Sequence, residues 1–190
     1  MNTDRPIDSL DTPPNTFNRA HFIRLGLFGA AAYVAILTVL YFIDRKLMLN
    51  PGVDLLLANL LYWPVVYKAI TDFKIQNNFE MSMGQGLKAG FVAGLFLPLA
   101  FHLFMYLLFN FFDPEMLQVQ MEMMRDTVNW ALGFFGEEKV TDEMMDEMEN
   151  AMDEVGVSGY PFTSVVVGLS QGWTYILLIS LVISAIKKNR

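Results

Sequence analysis

The chain has no cysteine among its 190 residues. Disulfides, thiolate metal sites and cysteine nucleophiles are therefore excluded. Histidine is nearly as scarce, with two copies, and only His102 falls within an apolar run. Common chemical motifs are missing too: no P-loop, no HExxH, no GxSxG after a strand, no dinucleotide-binding glycine fingerprint and no calcium loop. Ser164, Ser170, Ser180 and Ser184 would have only His102 as a base, which leaves the roles of an intramembrane hydrolase unfilled. No basic stripe exists to neutralise phosphates, which argues against nucleic acid as a partner. No cofactor or metal site is read, and the expected protein is non-enzymatic.

What the chain does have is apolar blocks. Apolar residues make up 54% of it, against about 45–50% in soluble domains. Leu25–Ile43 gives 19 uncharged positions, Ala89–Phe112 gives 24 and Phe162–Ile186 gives 25. At about 1.5 Å per residue each approaches or exceeds a hydrocarbon core of roughly 30 Å. The second segment is weaker, with 13 uncharged residues between Asp54 and Lys68. If Lys68 snorkels, 53–70 becomes a span. The reading is all-α: a polytopic membrane protein with four transmembrane helices at 22–43, 53–70, 86–112 and 162–186. A polar lead, 1–21, precedes an uncleaved anchor helix. A basic tail, 187–190, follows the last span, and the whole forms one membrane domain.

Charge sets the expected orientation. With four spans, nine Lys and Arg residues fall on the side of both termini and four on the other, so both termini are expected in the cytoplasm. Tyr41 and Tyr160 would mark the outer interface and Tyr67 the inner one. Residues 113–161 hold 13 of the 20 acids and two bases, Arg125 and Lys139. This acidic, methionine-rich segment would lie outside.

Its pattern is an amphipathic helical hairpin. Asp113 can cap a first helix, with Pro114 at the first helical position. Leu117, Met121, Met124, Val128, Leu132 and Phe135 then recur at three- and four-residue spacing as one outer apolar face, up to Gly136. A second helix is expected from Asp142 to about Val155, capped by Thr141, with Met144, Met148 and Met152 on one side and a staple between Val140 and Met145. Methionines so placed read as adaptable packing. The sharper alternative, a Cu(I) site, lacks any histidine or cysteine.

Within the spans, small and polar residues stand out. Gly86, Gly90 and Gly94 recur every four residues, and Gly168 and Gly172 do so in the last span. Such rows let helices approach closely, either within one bundle or between copies. Pro98 removes a backbone donor and crowds the carbonyl of Gly94, so a kink is expected there. Asn59, His102, Asn110 and Gln171 are the intramembrane polar candidates. His102 reads as a neutral imidazole bonded to Asn59, Gln171 or a carbonyl freed near Pro98, because no acidic partner is apparent for a proton relay.

The order of these features resembles a known family. Its carriers are Gly84-Gln85-Gly86-Leu87-Lys88-Ala89-Gly90-Phe91, then Phe112-Asp113-Pro114 with Met116, the acidic stretch to Glu154, Pro161-Phe162 and Ser184-Ala185-Ile186-Lys187-Lys188. Together they look like the bacterial domain-of-unknown-function 4199 membrane family over residues 22–190. The resemblance implies four spans in a bacterial inner membrane and brings no catalytic residues. Three functions are weighed. The first is an accessory or assembly subunit, a homo-oligomer or the partner of another membrane or periplasmic protein, acting in the lipid bilayer through helix packing and its acidic hairpin. The second is a small transporter or channel subunit with a polar path near His102. The third is an envelope sensor or ligand-binding module.

Overall fold

The computed structural model describes residues 17–135, 141, 143–144 and 160–188. Among them helix is the only regular structure. Asn18 starts α1 (Arg19–Ile43), its side chain accepting from the His21 N–H at 3.2 Å. Asp44 has extended backbone that ends α1, and its carboxylate accepts from the Lys46 and Leu47 N–H groups to open α2 (Arg45–Leu49). Asn50 repeats the device for α3 (Pro51–Gln76), with Pro51 at the first helical position. Two successive caps thus turn the chain back within a few residues. At 26 residues α3 exceeds the expected 53–70 and is long enough to cross a membrane. Lys68 reaches one turn further to Asp72 at 3.1 Å, the direction that snorkelling requires.

Asn78 and Phe79 carry positive φ angles of 52° and 66° in the turn that closes α3. Ser82 and Gln85 then form a reciprocal capping box that starts α4 (Met83–Gly94). The third span breaks where Pro98 predicts. α4 ends at Gly94, Leu95 is a turn, and α5 runs over Phe96–Leu107. A π-helical turn, Leu108–Phe112, follows, closed by the Asp113 N–H on the Leu108 carbonyl at 2.7 Å. After α6 (Met116–Phe135), the last span is α7 (Phe162–Lys188).

α4 is the central helix, packed against α1, α3 and α7, while α5 packs on α1 and α7. The glycines explain how. A Cβ on Gly86 would lie 2.6 Å from Ser184 Oγ, one on Gly90 2.6 Å from Ser180 Oγ, and one on Gly94 2.6 Å from Ile176 Cγ2. From the other side, a Cβ on Gly172 would meet Pro98 and one on Gly168 would meet His102. Each pair steps four residues up one helix and four down the other, so one antiparallel seam runs the length of both spans. Lipid tails are as apolar as leucine, so the seam is held by close dispersion contact, not by the hydrophobic effect. The α4 glycine row is filled by α7 and is not a face for a second copy. Gly26 and Gly29 of α1 add two further close approaches, to the Ala93 carbonyl and to Val65. The sequence reading did not single these out.

Among the described residues four helices are long and apolar enough to cross a membrane: α1, α3, the Met83–Phe112 span and α7. Only 22–33% of the most apolar window of each is buried. Phe28, Phe42, Leu60, Phe111 and Val167 are among the large side chains left outward. An outer surface this apolar requires lipid as its solvent. The chain is an integral membrane protein.

Candidate functional site

A cavity of about 460 Å³ opens among α1, α3, α5 and α7, in the half of the bundle nearer α6. Its polar centre is Asp54, on the first turn of α3, where Asn50 and Pro51 set the helix start. A carboxylate there is favoured by the unpaired N–H groups of the helix end. Tyr33, buried in α1, donates its hydroxyl to Asp54 Oδ1 at 2.7 Å. Among the described residues Asp54 has no ion pair with lysine or arginine, and neither residue type lines the cavity.

Aromatic rings build the walls. Tyr33 stacks on Phe101 with centroids 5.6 Å apart and meets Tyr62 edge-on at 6.1 Å. Tyr175 lies 6.1 Å from Tyr62. Its hydroxyl donates to Asn59 Oδ1, which also accepts from Trp63 Nε1 at 3.1 Å. The Asn59 amide donates to the Leu55 carbonyl. Asn59 is therefore satisfied, and its part is to fix Tyr175.

His102 closes the α5 side, seated over the bare backbone of Gly168. Its Nδ1 faces the Tyr160 hydroxyl at 3.4 Å. The partner is thus neither Asn59, nor Gln171, nor a carbonyl near Pro98, as the sequence suggested. Tyr160 lies in the segment before α7, and no local pattern links it to His102. Asn110 supplies the link, donating to the carbonyls of Tyr106 at 2.8 Å and Tyr160 at 3.1 Å. Burial, and then the Asp54 carboxylate, push the Tyr160 phenol up from its ordinary value, so it stays protonated at neutral pH. His102 also shares the cavity with an acid, Asp54, which the sequence reading left aside. The missed signal was Tyr33, a lone phenol in the small-residue run of α1.

Gln171 lines the cavity from α7 and also a neighbouring groove of about 360 Å³ with Ser170, Thr174, Tyr175 and Leu178. Among the described residues no serine hydrogen-bonds to His102: Ser180 and Ser184 are buried against Gly90 and Gly86, and Ser170 donates to its own helix at Val167. The arrangement can bind and orient, and among the described residues no bond-breaking pair is assembled in it. Among the described residues no three His, Asp or Glu side chains group as a metal site.

A second polar cluster joins α6 to the α1–α2 corner. Tyr41 donates to Asp113 Oδ2 at 2.7 Å, and Arg45 reaches the same oxygen at 3.1 Å while covering the Tyr41 ring. Lys46 pairs with Glu122 at 2.6 Å. Asp113, expected as a cap, instead spends its buried carboxylate on α1 and α2, and α6 begins at Met116. Of the expected outer face, Met121 is buried, Leu117 and Leu132 are half-buried, and Met124 and Val128 are exposed. The Phe135 side chain lies outside the described residues, as do Met145, Met148, Met152 and most of the second outer helix. Met116, not counted in that face, is fully buried. Thr141 accepts from the Met144 N–H at 3.3 Å, as a cap would.

No curated protein and no solved structure matches the chain. A family profile does, over nearly all of the length that carries the four spans and the cavity, residues 24–189. The chain belongs to the family described as proteins of unknown function, DUF4199.

Proposed function

We propose that this protein is a small membrane-embedded binding protein of the carrier class, alone or as the membrane subunit of a transporter, with the Asp54–His102 cavity as its solute chamber. The observation that carries the reading is the cavity itself. An acid, an imidazole and three phenols converge on a space of about 460 Å³, within the roughly 300–1,000 Å³ of small-molecule sites. Ionisable groups inside membrane spans are costly and mark solute or ion paths. The excess of Lys and Arg beside the termini supports an orientation with both termini cytoplasmic and α6 outside, in the inner membrane of a bacterium. The chamber then lies nearer the outer face.

A second reading, an assembly subunit, keeps one support. Met124 and Val128 stand exposed on α6 and would suit a periplasmic protein partner. The α4 glycine row no longer supports it.

The test is a thermal-shift panel of small amines, amino acids, sugars and carboxylates on the purified full chain in mild detergent. At least one solute is expected to stabilise the wild type and to lose its effect in Gly168→Leu, which fills the chamber. A panel in which no solute separates the two proteins overturns the reading and leaves assembly in first place.

A further inference from the structure

The chamber has a sign and a side door, and both narrow what it takes. The lining carries one carboxylate and no lysine or arginine. Tyr33 satisfies one oxygen of Asp54 with a neutral hydrogen bond, and the other ionisable group of the lining is the His102 imidazole, which leaves the charge without a permanent counter-ion. An uncompensated carboxylate among apolar walls is costly, and a cation relieves that cost. A divalent metal ion is a poor fit. Divalent cations need several oxygen ligands converging at short range, and among the described residues no acid or histidine joins Asp54 in a group of three. The walls of the cavity that holds Asp54 are rich in rings, Tyr33, Tyr62, Phe101 and Tyr175. Ring faces attract organic cations, ammonium groups above all, and do so more strongly once water is excluded.

The door is the groove on α7. It shares Gln171 and Tyr175 with the chamber and continues over Ser170, Thr174 and Leu178. Its surroundings face lipid: Val166, Val167, Leu177 and Leu178 are all exposed. Nine residues from Phe162, Gln171 sits about 14 Å along the helix, near the middle of the hydrocarbon layer. Ser170 and Thr174 hide their hydroxyls on carbonyls of their own helix, Val167 at 2.7 Å and Ser170 at 2.8 Å. The exposed Gln171 amide has no hydrogen bond among the described residues. At that depth an amide without a partner is expensive, and a polar group passing the groove would supply one.

We infer that the chamber takes a lipophilic organic cation, which reaches Asp54 sideways from the bilayer through the Gln171–Thr174 groove. The inference rests on the chamber being a solute site, and the test separates the two claims. Tetraphenylphosphonium and tetraphenylborate have nearly the same size and shape and opposite charge. Triphenylphosphine oxide is a smaller neutral relative. Binding of each to the purified full chain in nanodiscs is measured by equilibrium dialysis, after subtracting empty nanodiscs. The cation is expected to bind saturably, at least tenfold more tightly than either other probe. Asp54→Asn is expected to remove at least tenfold of that affinity, and Asp54→Glu to restore part of it. Should Asp54→Asn not fold, the comparison of isosteres on the wild type decides alone. Equal saturable binding of all three, lost in Gly168→Leu, would overturn the cation and keep the chamber. Absence of saturable binding by any probe would overturn both. Thr174→Trp narrows the groove and is expected to slow association at least fivefold with little change in affinity. An unchanged association rate would overturn the sideways path.

Discussion

The Cβ that Gly172 lacks would fall 2.5 Å from the Cβ of Pro98. The residue that breaks the third span is thus received by a glycine of the fourth. Pro98 frees the backbone at Gly94, and Gly94 in turn receives Ile176. Kink and seam are one device, in which every bulky step on one helix meets a bare step on the other. Added volume has nowhere to go. Gly90→Leu would press on Ser180, Val66 and Ile70, and such overpacking costs about 1–3 kcal/mol, occasionally more. It should lower the unfolding midpoint in detergent and leave the oligomeric state by light scattering unchanged, because the seam is internal. Gly84 is the control, with nothing within 4 Å of its missing Cβ. Gly84→Ala should be neutral or stabilising, by up to about 1 kcal/mol of helix propensity.

His102 and Gly168 form the same kind of pair at the chamber wall. A Cβ on Gly168 would come within 2.0 Å of the imidazole Cε1. Gly168→Ala must therefore displace the ring and its contact with Tyr160. The expected cost is about 1–3 kcal/mol in the wild type and under about 0.5 kcal/mol in a His102→Ala background. A double-mutant cycle by thermal unfolding measures that coupling. Additive effects would show that the ring does not rest on Gly168.

These pairs show what the sequence could and could not convey. The four-residue recurrence of Gly86, Gly90 and Gly94 announced a close helix approach, because small residues at that spacing share a helix face. Pro98 announced the break, because its ring acts on the backbone one turn back. Both are local rules. The chamber is not local. Tyr33 and Asp54 lie 21 positions apart, and His102 and Tyr160 lie 58 apart, so only the packing of four helices joins them. Asp54 stands on α3 and its hydrogen-bond partner Tyr33 on α1. The face of α6 is a mixed case. Periodicity finds an apolar stripe, but the ion pairs of Arg45 and Lys46 decide how much of it meets the protein.

The Tyr33 hydroxyl is the described hydrogen-bond partner of Asp54. Tyr33→Phe keeps the ring stacked on Phe101 and removes that donor. An unmet polar group in a part-buried site costs about 1–3 kcal/mol. The substitution should therefore lower stability by an amount in that range, and much less in an Asp54→Leu background. Paired melting curves decide it. If Tyr33→Phe were equally costly in both backgrounds, the hydroxyl would be serving some group other than Asp54.

The hold of α6 on α2 should depend on pH and salt. Its hydrogen bond and charge pairing with Lys46 keep the Glu122 carboxyl below its ordinary 4.5, and the same contact raises the Lys46 ammonium above its ordinary 10.5. A lowered carboxyl contributes fully above its undocked value and loses its contribution as pH falls through the docked one. A raised ammonium contributes fully below its undocked value and loses its contribution as pH rises through the docked one. Docking is then strongest between about 4.5 and 10.5 and fades first on the acid side. Both groups are exposed, so about 1 M salt should screen the pair. Hydrogen exchange across 116–129 reads the effect, with Lys46→Met reducing protection by no more than about fivefold. Arg45→Met should reduce it by more than about tenfold. Asp113 is buried, and without Arg45 its charge would rest on the Tyr41 hydroxyl, a neutral donor weaker than a charged one. Equal effects from the two variants would mean that α6 is held by its apolar contacts at Met116 and Met121 and not by the Asp113 cluster.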